Sequence, residues 1–560
     1  MTAVKTREPL HVAIIGGGVC GLVAIKSCLE VGLKVTCFEK SDNYGGLWRY
    51  RPDDGSQNDR FVPSVMRTTI LNTSKELSAF SDMPPPSNLP NFMKHSLYMD
   101  YIESYVRQFN VKPHLRLEHE ILSCEPEWSD ETRQFKWSLQ IKDIPNNCIS
   151  NNKFDFVMIA VGHHNVPYMP SFTDQHKFKG LLMHSARLKD ILYDKRLVGK
   201  KVLVVGLGNS ACDAVNDLSI VADKCYLSCH RGNWFIGRLS KTGLYDLELK
   251  NRWKNFLNNS LPRFMIDKAL IDKVTDRVNH DFLGLRPMHE PTQLPPIIND
   301  LIPYRILTGG AVMKSAVSSF TENGVIFEGE EHEEYPIDVV IFATGYKVSL
   351  PFMNDFALGL RCPDHEEEYD LYLNMFAPRL TIEGLDQPAP IDAIKSLAFI
   401  GFVQPSGSIV VASELQARLA AQVFIGKTNL PSVEQMLYRM KQVRNQRARS
   451  IRSHSKDQVV GNWISYLDEV AEHFGAKPNL SKLFFKDFPL WKQLVFGPSV
   501  PYQYRLTGPN SWDKARETIL TVYDRIASGV NDGKNPILYK TRRKCLDGGR
   551  KKNGQESCKQ

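Results

Sequence analysis

The run His11-Val12-Ala13-Ile14-Ile15 is short, apolar and partly β-branched, the pattern of a strand buried on both faces of a parallel sheet. It leads into Gly16-Gly17-Gly18-Val19-Cys20-Gly21, then a helix-like stretch from Leu22 to Val31. A second apolar run, Lys34 to Phe38, ends at Glu39. Glycines in such a turn let the backbone bend tightly and approach a pyrophosphate, while the helix N-terminus offers N–H donors and a positive dipole. Glu39 follows Gly16 by 23 residues, where an acid accepts hydrogen bonds from ribose hydroxyls. A GxGxxG alone is a weak signal. Strand, helix and acid in register make it a dinucleotide-binding unit, with Val19 and Cys20 on the first helical turn.

The pattern recurs. Lys201 to Val205 reads as a strand, followed by Gly206-Leu207-Gly208-Asn209-Ser210-Ala211 and a helix through Leu218 that carries Asp213. Alanine replaces the third glycine, a tolerated variant where helix meets strand. The following strand, Lys224 to Ser228, runs into Cys229-His230-Arg231 and has no acid. Arg231, 25 residues after Gly206, stands where the ribose selector belongs, and a cation there suits a 2′-phosphate. A solvated surface arginine is the alternative. Two such units imply two dinucleotides, FAD held tightly and NADPH exchanging. A flavin accepts hydride and then reacts with one-electron acceptors such as O2. That narrows the function to a flavoprotein oxidoreductase, with reductase, oxidase and monooxygenase all open.

Composition changes this picture mainly by exclusion. At 560 residues the chain exceeds one ordinary core. Its 70 Lys and Arg against 62 Asp and Glu are dispersed, and no nucleic-acid-binding signature appears. The 11 cysteines form no CxxC pair, which disfavours zinc, a redox-active disulfide and hence a disulfide reductase. An irregular cysteine set suits a reducing compartment. His163-His164, adjacent in a turn, are not expected to chelate a metal, and no metal site is assigned. No apolar stretch reaches the roughly 18–20 residues that span a bilayer. His11 to Leu33 resembles a signal segment only until Lys26 and Glu30 interrupt it, so Asn72-Thr73-Ser74 is not read as a glycosylation site.

These features place an α/β fold with two Rossmann-like domains, the NADP domain inserted into the FAD domain. Residues 1–165 form the first part of the FAD domain and 166–334 the NADP domain. The FAD domain resumes over 335–520, beginning with the strand Ile337 to Ala343. Within the insertion, 240–298 lack dinucleotide features and carry irregular amphipathic character from Phe256, Leu257, Leu261, Phe264, Met265 and Leu270. Residues 521–560 are expected to be a basic, disordered tail, polar from Asn531 onward.

The chain resembles the animal flavin-containing monooxygenases across about residues 10 to 520. Phe178-Lys179-Gly180-Leu181-Leu182-Met183-His184 matches the start of that family's FxGxxxHxxx[FY] pattern, although Leu188 stands where the closing aromatic belongs. Altered contact with the second nucleotide or the adjoining linker is the expected consequence. Gly45-Gly46-Leu47-Trp48-Arg49-Tyr50, Asn72-Thr73-Ser74-Lys75-Glu76, Pro90-Asn91-Phe92-Met93, Arg231-Gly232-Asn233-Trp234, Ala343-Thr344-Gly345-Tyr346, Gln404-Pro405-Ser406-Gly407, Ser413 to Arg418 and Pro501 to Leu506 follow in family order. The resemblance implies that NADPH reduces FAD, that O2 adds at the flavin C4a carbon, and that the C4a-hydroperoxyflavin awaits a soft nitrogen or sulfur nucleophile.

It also implies that Asn72 supplies a protective donor, with Leu47, Trp48, Thr73, Thr344 and Gln404 at the cofactors. His184 is read as structural. By the same resemblance the protein belongs at the cytosolic face of the endoplasmic reticulum membrane, with 240–298 over the substrate channel and touching membrane, or forming a plain helical cap. No hydrophobic C-terminal anchor is present, which leaves a cytoplasmic location as the alternative. A Baeyer–Villiger monooxygenase, an NADPH oxidase releasing H2O2 and a non-catalytic nucleotide-binding module are the rival functions. Substrate identity and oligomeric state are not legible.

Overall fold

The computed structural model describes residues 9–53, 62–129, 134–240, 243–363, 365–382, 389–450, 459–460 and 462–530. Two five-stranded parallel sheets organise it. The first runs Leu397–Phe399, Phe156–Ile159, His11–Ile15, Lys34–Glu39, Leu115–Leu117 across its width. In chain order that is 5-4-1-2-3, a mononucleotide-binding arrangement whose order reverses beside the central strand. Val12 to Ile15 are all buried, so both faces of that strand are covered, as its unbroken apolar run requires. Helix Val19–Leu29 lies on the sheet, and helix Ile409–Phe424 packs on that helix with Val410 to Phe424 buried throughout.

The second sheet runs Val312–Lys314, Lys224–Ser228, Lys201–Val205, Val339–Phe342, Leu181–His184. The order around the central strand repeats that of the first sheet. Its outer strand, however, comes from the segment before the glycine loop rather than after it. One sequence expectation is corrected here. The strand within Ile337 to Ala343 pairs in parallel with Lys201–Val205 and with Leu181–His184, so it belongs to this second sheet and does not return to the first, as the expected boundary at residue 335 would have it. A short apolar strand reads identically in either sheet, and only its hydrogen-bonded neighbours decide. The crossing lies just beyond, where Tyr346–Lys347 pairs antiparallel with Val166–Pro167.

The motif around His184 is the edge of this second sheet. A Cβ on Gly180 would lie 2.5 Å from the Asp338 carbonyl, so strand and loop meet there without room for a side chain. His184 lies beside the Gly345 carbonyl at 3.0 Å and accepts from the Ala186 N–H at 3.1 Å, a structural role at the crossover. Leu188 is buried in the NADP-domain core with Met183, Ile191 and Leu197. The departure from the aromatic pattern is thus a difference in core filling.

The expected tail also needs correction over its first residues. Helix Val522–Ser528 is folded, with Val522 and Ile526 in the large core and Arg525 paired to the buried Glu76. Its polarity misled because Arg525 finds its partner far away in sequence. The basic run from Asn531 lies outside the described residues.

Candidate active site

Both glycine loops sit at the carboxyl ends of central parallel strands. Gly16 (φ +108°) and Gly206 (φ +111°) occupy backbone conformations that L side chains rarely adopt, and a Cβ on either would strike the next strand's exit, Ala160 or Ala343. Gly21 is required by packing, because a Cβ there would lie 1.9 Å from the Gly16 carbonyl. Ala211 is buried at the equivalent place in the second unit. The middle glycines differ. Gly18 is the N-cap of helix Val19–Leu29 and Gly208 that of Asn209–Val221, and neither cap receives a side-chain hydrogen bond.

A Cβ at Gly18 would meet nothing nearer than Gly46 Cα at 3.7 Å, and at Gly208 nothing within 4 Å. The protein therefore leaves open space above two uncapped helix N-termini. That fits a pyrophosphate at each, accepting hydrogen bonds from the exposed N–H groups. These loops would hold FAD and NADPH respectively.

Around the first loop, Glu39 accepts from the Gly17 N–H at 2.7 Å and from the Ser41 N–H and hydroxyl at 2.8 and 2.6 Å. An ionised carboxylate offers about four lone-pair sites, so capacity for a ribose hydroxyl remains. Gly45 donates to the Gly17 carbonyl at 2.9 Å and bridges to Gly18, which seats the turn Gly46–Trp48 on the loop. Leu47 keeps 38% of its surface exposed, while Trp48 packs edge-on against Tyr98, centroids 4.9 Å apart. Cys20 is buried, its thiol 3.2 Å from the Ser413 hydroxyl.

At the second loop, Asn209 and Ser210 are exposed on the first helical turn. Asp213 lies one turn further, and burial pushes its carboxyl up to about 6 against the opposing pull of Arg238. Arg231 is exposed, three residues beyond the strand Lys224–Ser228. Losing a charge-assisted contact to a 2′-phosphate costs roughly 1.5–3 kcal/mol. Arg231→Ala is therefore expected to narrow the NADPH-over-NADH preference by about tenfold or more, read as the ratio of the two KM values. An unchanged ratio would remove Arg231 from the site.

Asn72 lies where the two domains meet. The segment leading to it crosses the NADP domain: Met66 joins that domain's core, and Thr68 donates to Asp217 at 2.5 Å. Arg67 donates its backbone N–H to the Lys189 carbonyl at 2.8 Å. Arg238 then donates to the Asn72 amide oxygen at 2.9 Å and to the Leu71 carbonyl at 3.2 Å. Asp300 holds Arg238 through its guanidinium and its backbone N–H, each at 2.8 Å. The rest of the motif is an anchor. Ser74 donates its N–H to Asp246 at 2.6 Å, Lys75 donates to the Ser87 and Leu89 carbonyls, and Glu76 accepts from Tyr502 at 2.8 Å.

Thr73 lies 2.5 Å from the Ser78 hydroxyl within its own loop, and Thr344 donates to the Tyr168 carbonyl in the crossover. Gln404 opens the loop that follows the fifth FAD strand, where its backbone pairs with Val459. Sequence reasoning missed Arg238 and Asp246. Arg238 reaches Asn72 across 166 residues, and no local pattern could announce the contact. Among the described residues no group of three His, Cys, Asp or Glu could hold a metal ion.

A family profile described as "Flavin-binding monooxygenase-like" matches residues 10–538. The chain is 36% identical to flavin-containing monooxygenase 5 of Rattus norvegicus over 521 residues, 92% of each chain. It is equally 36% identical over 522 residues, again 92% of each, to dimethylaniline monooxygenase [N-oxide-forming] 2 of the same species. Among solved structures, S-allyl-L-cysteine S-oxygenase from Allium sativum superposes with a TM-score of 0.58 at 21% identity, covering 91% of this chain and 98% of that one. Open cyclohexanone monooxygenase gives 0.58 at 14% identity, covering 83% and 98%. Those two likenesses speak for the fold alone. With both glycine loops open, the asparagine motif at the domain junction and relatives matched over nearly its whole length, the chain belongs to the flavin-containing monooxygenases, NADPH-dependent flavoproteins that use FAD.

Proposed function

We propose that this enzyme transfers one oxygen atom of O2 to a soft nitrogen or sulfur nucleophile, with Asn72 as the donor that guards the activated oxygen. The observation that carries this reading is the grip of Arg238 on Asn72. A guanidinium only donates, so the asparagine oxygen must face it, and the amide N–H groups are turned the other way. FAD, once reduced by NADPH, supplies the oxygen-activating chemistry. The chain's own part would be to hold one nucleotide at each of the two helix N-termini, to preorganise the Asn72 donor, and to keep water away.

The relatives named for N-oxide formation favour a nitrogen nucleophile over a ketone, and a thioether sulfur is a soft nucleophile of the same kind. Product analysis with a tertiary amine, a thioether and a cyclic ketone tests this: N-oxide and sulfoxide are expected. A lactone as the sole oxygenated product would instead make it a Baeyer–Villiger enzyme, and H2O2 alone an oxidase.

Peripheral membrane attachment belongs to the same reading. No described helix is long and apolar enough to cross a membrane. Helix Arg252–Ser260, from the expected contact segment, packs beside helix Phe488–Phe496. Trp253 touches Phe256 and Phe496, and the aromatic run continues through Trp491 and Phe484 to Phe488 and Phe485, with Phe256 58% and Phe485 85% exposed. Lys482, Lys486 and Lys492 are exposed on the same two helices, Leu480–Lys486 and Phe488–Phe496. Exposed aromatic rings and lysines on the same helices suit an anionic lipid surface. The wild type is expected to co-sediment with anionic vesicles, and the double variant Phe256→Ser, Phe485→Ser to lose most of that binding. Equal sedimentation of both would discard the patch as an anchor.

A further inference from the structure

Lys250 is a lysine the mechanism does not use, and its surroundings are unusual. It follows helix Tyr245–Leu249, the part of the insertion that bridges two loops of the FAD domain. On one side Asp246 accepts from the Ser74 N–H, two residues after Asn72. On the other, the Lys250 ammonium donates to the Ser406 hydroxyl at 3.1 Å, within Gln404-Pro405-Ser406-Gly407. The lysine thus stands between the two motifs that flank the candidate site.

Asp246 does not neutralise it by contact. One carboxylate oxygen accepts from Ser74 at 2.6 Å and the other from the Leu247 N–H at 2.9 Å, and Lys250 forms no ion pair among the described residues. Lys250 keeps part of its surface exposed, yet burial pulls its pKa down to about 8, with Asp246 holding it up. It is therefore partly covered by its neighbours and still reachable from outside. An ammonium has three donors, and Ser406 takes one. No acceptor among the described residues takes the remaining two.

We infer that Lys250, with Ser406 beside it, recognises an anionic group on the substrate, so that the preferred nucleophile is a soft sulfur or nitrogen compound that also carries a carboxylate. This rests on the N- and S-oxygenation proposed above. A paired measurement tests it: kcat/KM of the holoenzyme for thioanisole and for its para-carboxylate, read in the wild type, Lys250→Met and Lys250→Arg. The wild type is expected to favour the acid. Lys250→Met should cut the acid-to-neutral ratio by about ten- to a hundredfold, the worth of one charge-assisted contact. Lys250→Arg should restore part of it.

Calorimetric binding of the acid to oxidised enzyme without NADPH should show the same loss independently of turnover. Lys250→Gln, which retains a donor for Ser406, supplies the ratio if the methionine variant does not accumulate as holoenzyme. A ratio that is unchanged on losing the charge, or a wild type that prefers the neutral thioether, overturns the inference. Equal loss on both substrates overturns it too, since the lysine would then serve the fold or the flavin. If the wild type oxygenates neither thioether, the proposed function itself has failed.

Discussion

Asn72→Asp is expected to give a folded, yellow enzyme that still consumes NADPH but returns most of the electrons as H2O2. Aspartate keeps an oxygen for Arg238, now as an ion pair, so the junction between the domains is preserved. What it loses is the amide N–H, because an ionised carboxylate only accepts. Removing one preorganised donor from a water-poor site costs on the order of 2.7–4 kcal/mol, about two orders of magnitude in the lifetime of the activated oxygen. Hydride transfer from NADPH would not need that amide N–H and should persist. Asn72→Ala serves as the contrast, because it also strands the Arg238 donor and should lower stability by roughly 1–3 kcal/mol. The measurement is the ratio of sulfoxide to H2O2 per NADPH consumed, taken beside a thermal melt. Wild-type coupling in Asn72→Asp would place the protective donor elsewhere.

Gly18→Val should abolish flavin binding while leaving the fold intact, a combination that separates a ligand constraint from a packing constraint. Gly18 has φ −70° and ψ −179°, which valine adopts without strain, and the chain itself leaves room at its Cβ. The branched side chain would instead stand over the N-terminus of helix Val19–Leu29, where the pyrophosphate belongs. Loss of two charge-assisted hydrogen bonds amounts to about 3 kcal/mol or more, at least a hundredfold in Kd for FAD. The protein should be colourless, monodisperse and cooperative in unfolding. Gly21→Val is the opposite case: its Cβ would collide with the Gly16 carbonyl, so it should fail to fold. A yellow, active Gly18→Val enzyme would mean that FAD binds elsewhere.

The two nucleotide-binding units were legible because their requirements are local. A buried parallel strand, a glycine turn and an uncapped helix lie within about thirty consecutive residues, and each leaves its own mark: an apolar run, a fixed glycine spacing, a helical start. Membership of a sheet is not local. The strand Val339–Phe342 carries nothing that names its neighbours, and hydrogen bonds to Lys201–Val205 and Leu181–His184 assigned it to the NADP domain against expectation. Helix Val522–Ser528 escaped notice for the same reason, since the partner of Arg525 is Glu76.

At the candidate site the division is sharper. Sequence by itself marked two glycine loops, at Gly16 and Gly18 and at Gly206 and Gly208, each leading from a buried strand into a helix. It also singled out Asn72, through a motif met intact. Tertiary structure alone decided that Arg238 and Asp300 orient that asparagine, that Asp246 ties its loop to the insertion, and that Lys250 stands between the two FAD-domain loops. The physical reason is the range of the interactions. Backbone geometry and helix dipoles act within one turn of chain and so impose a residue type at a set spacing. A charged side chain constrains only the atoms it touches, wherever in the chain they come from.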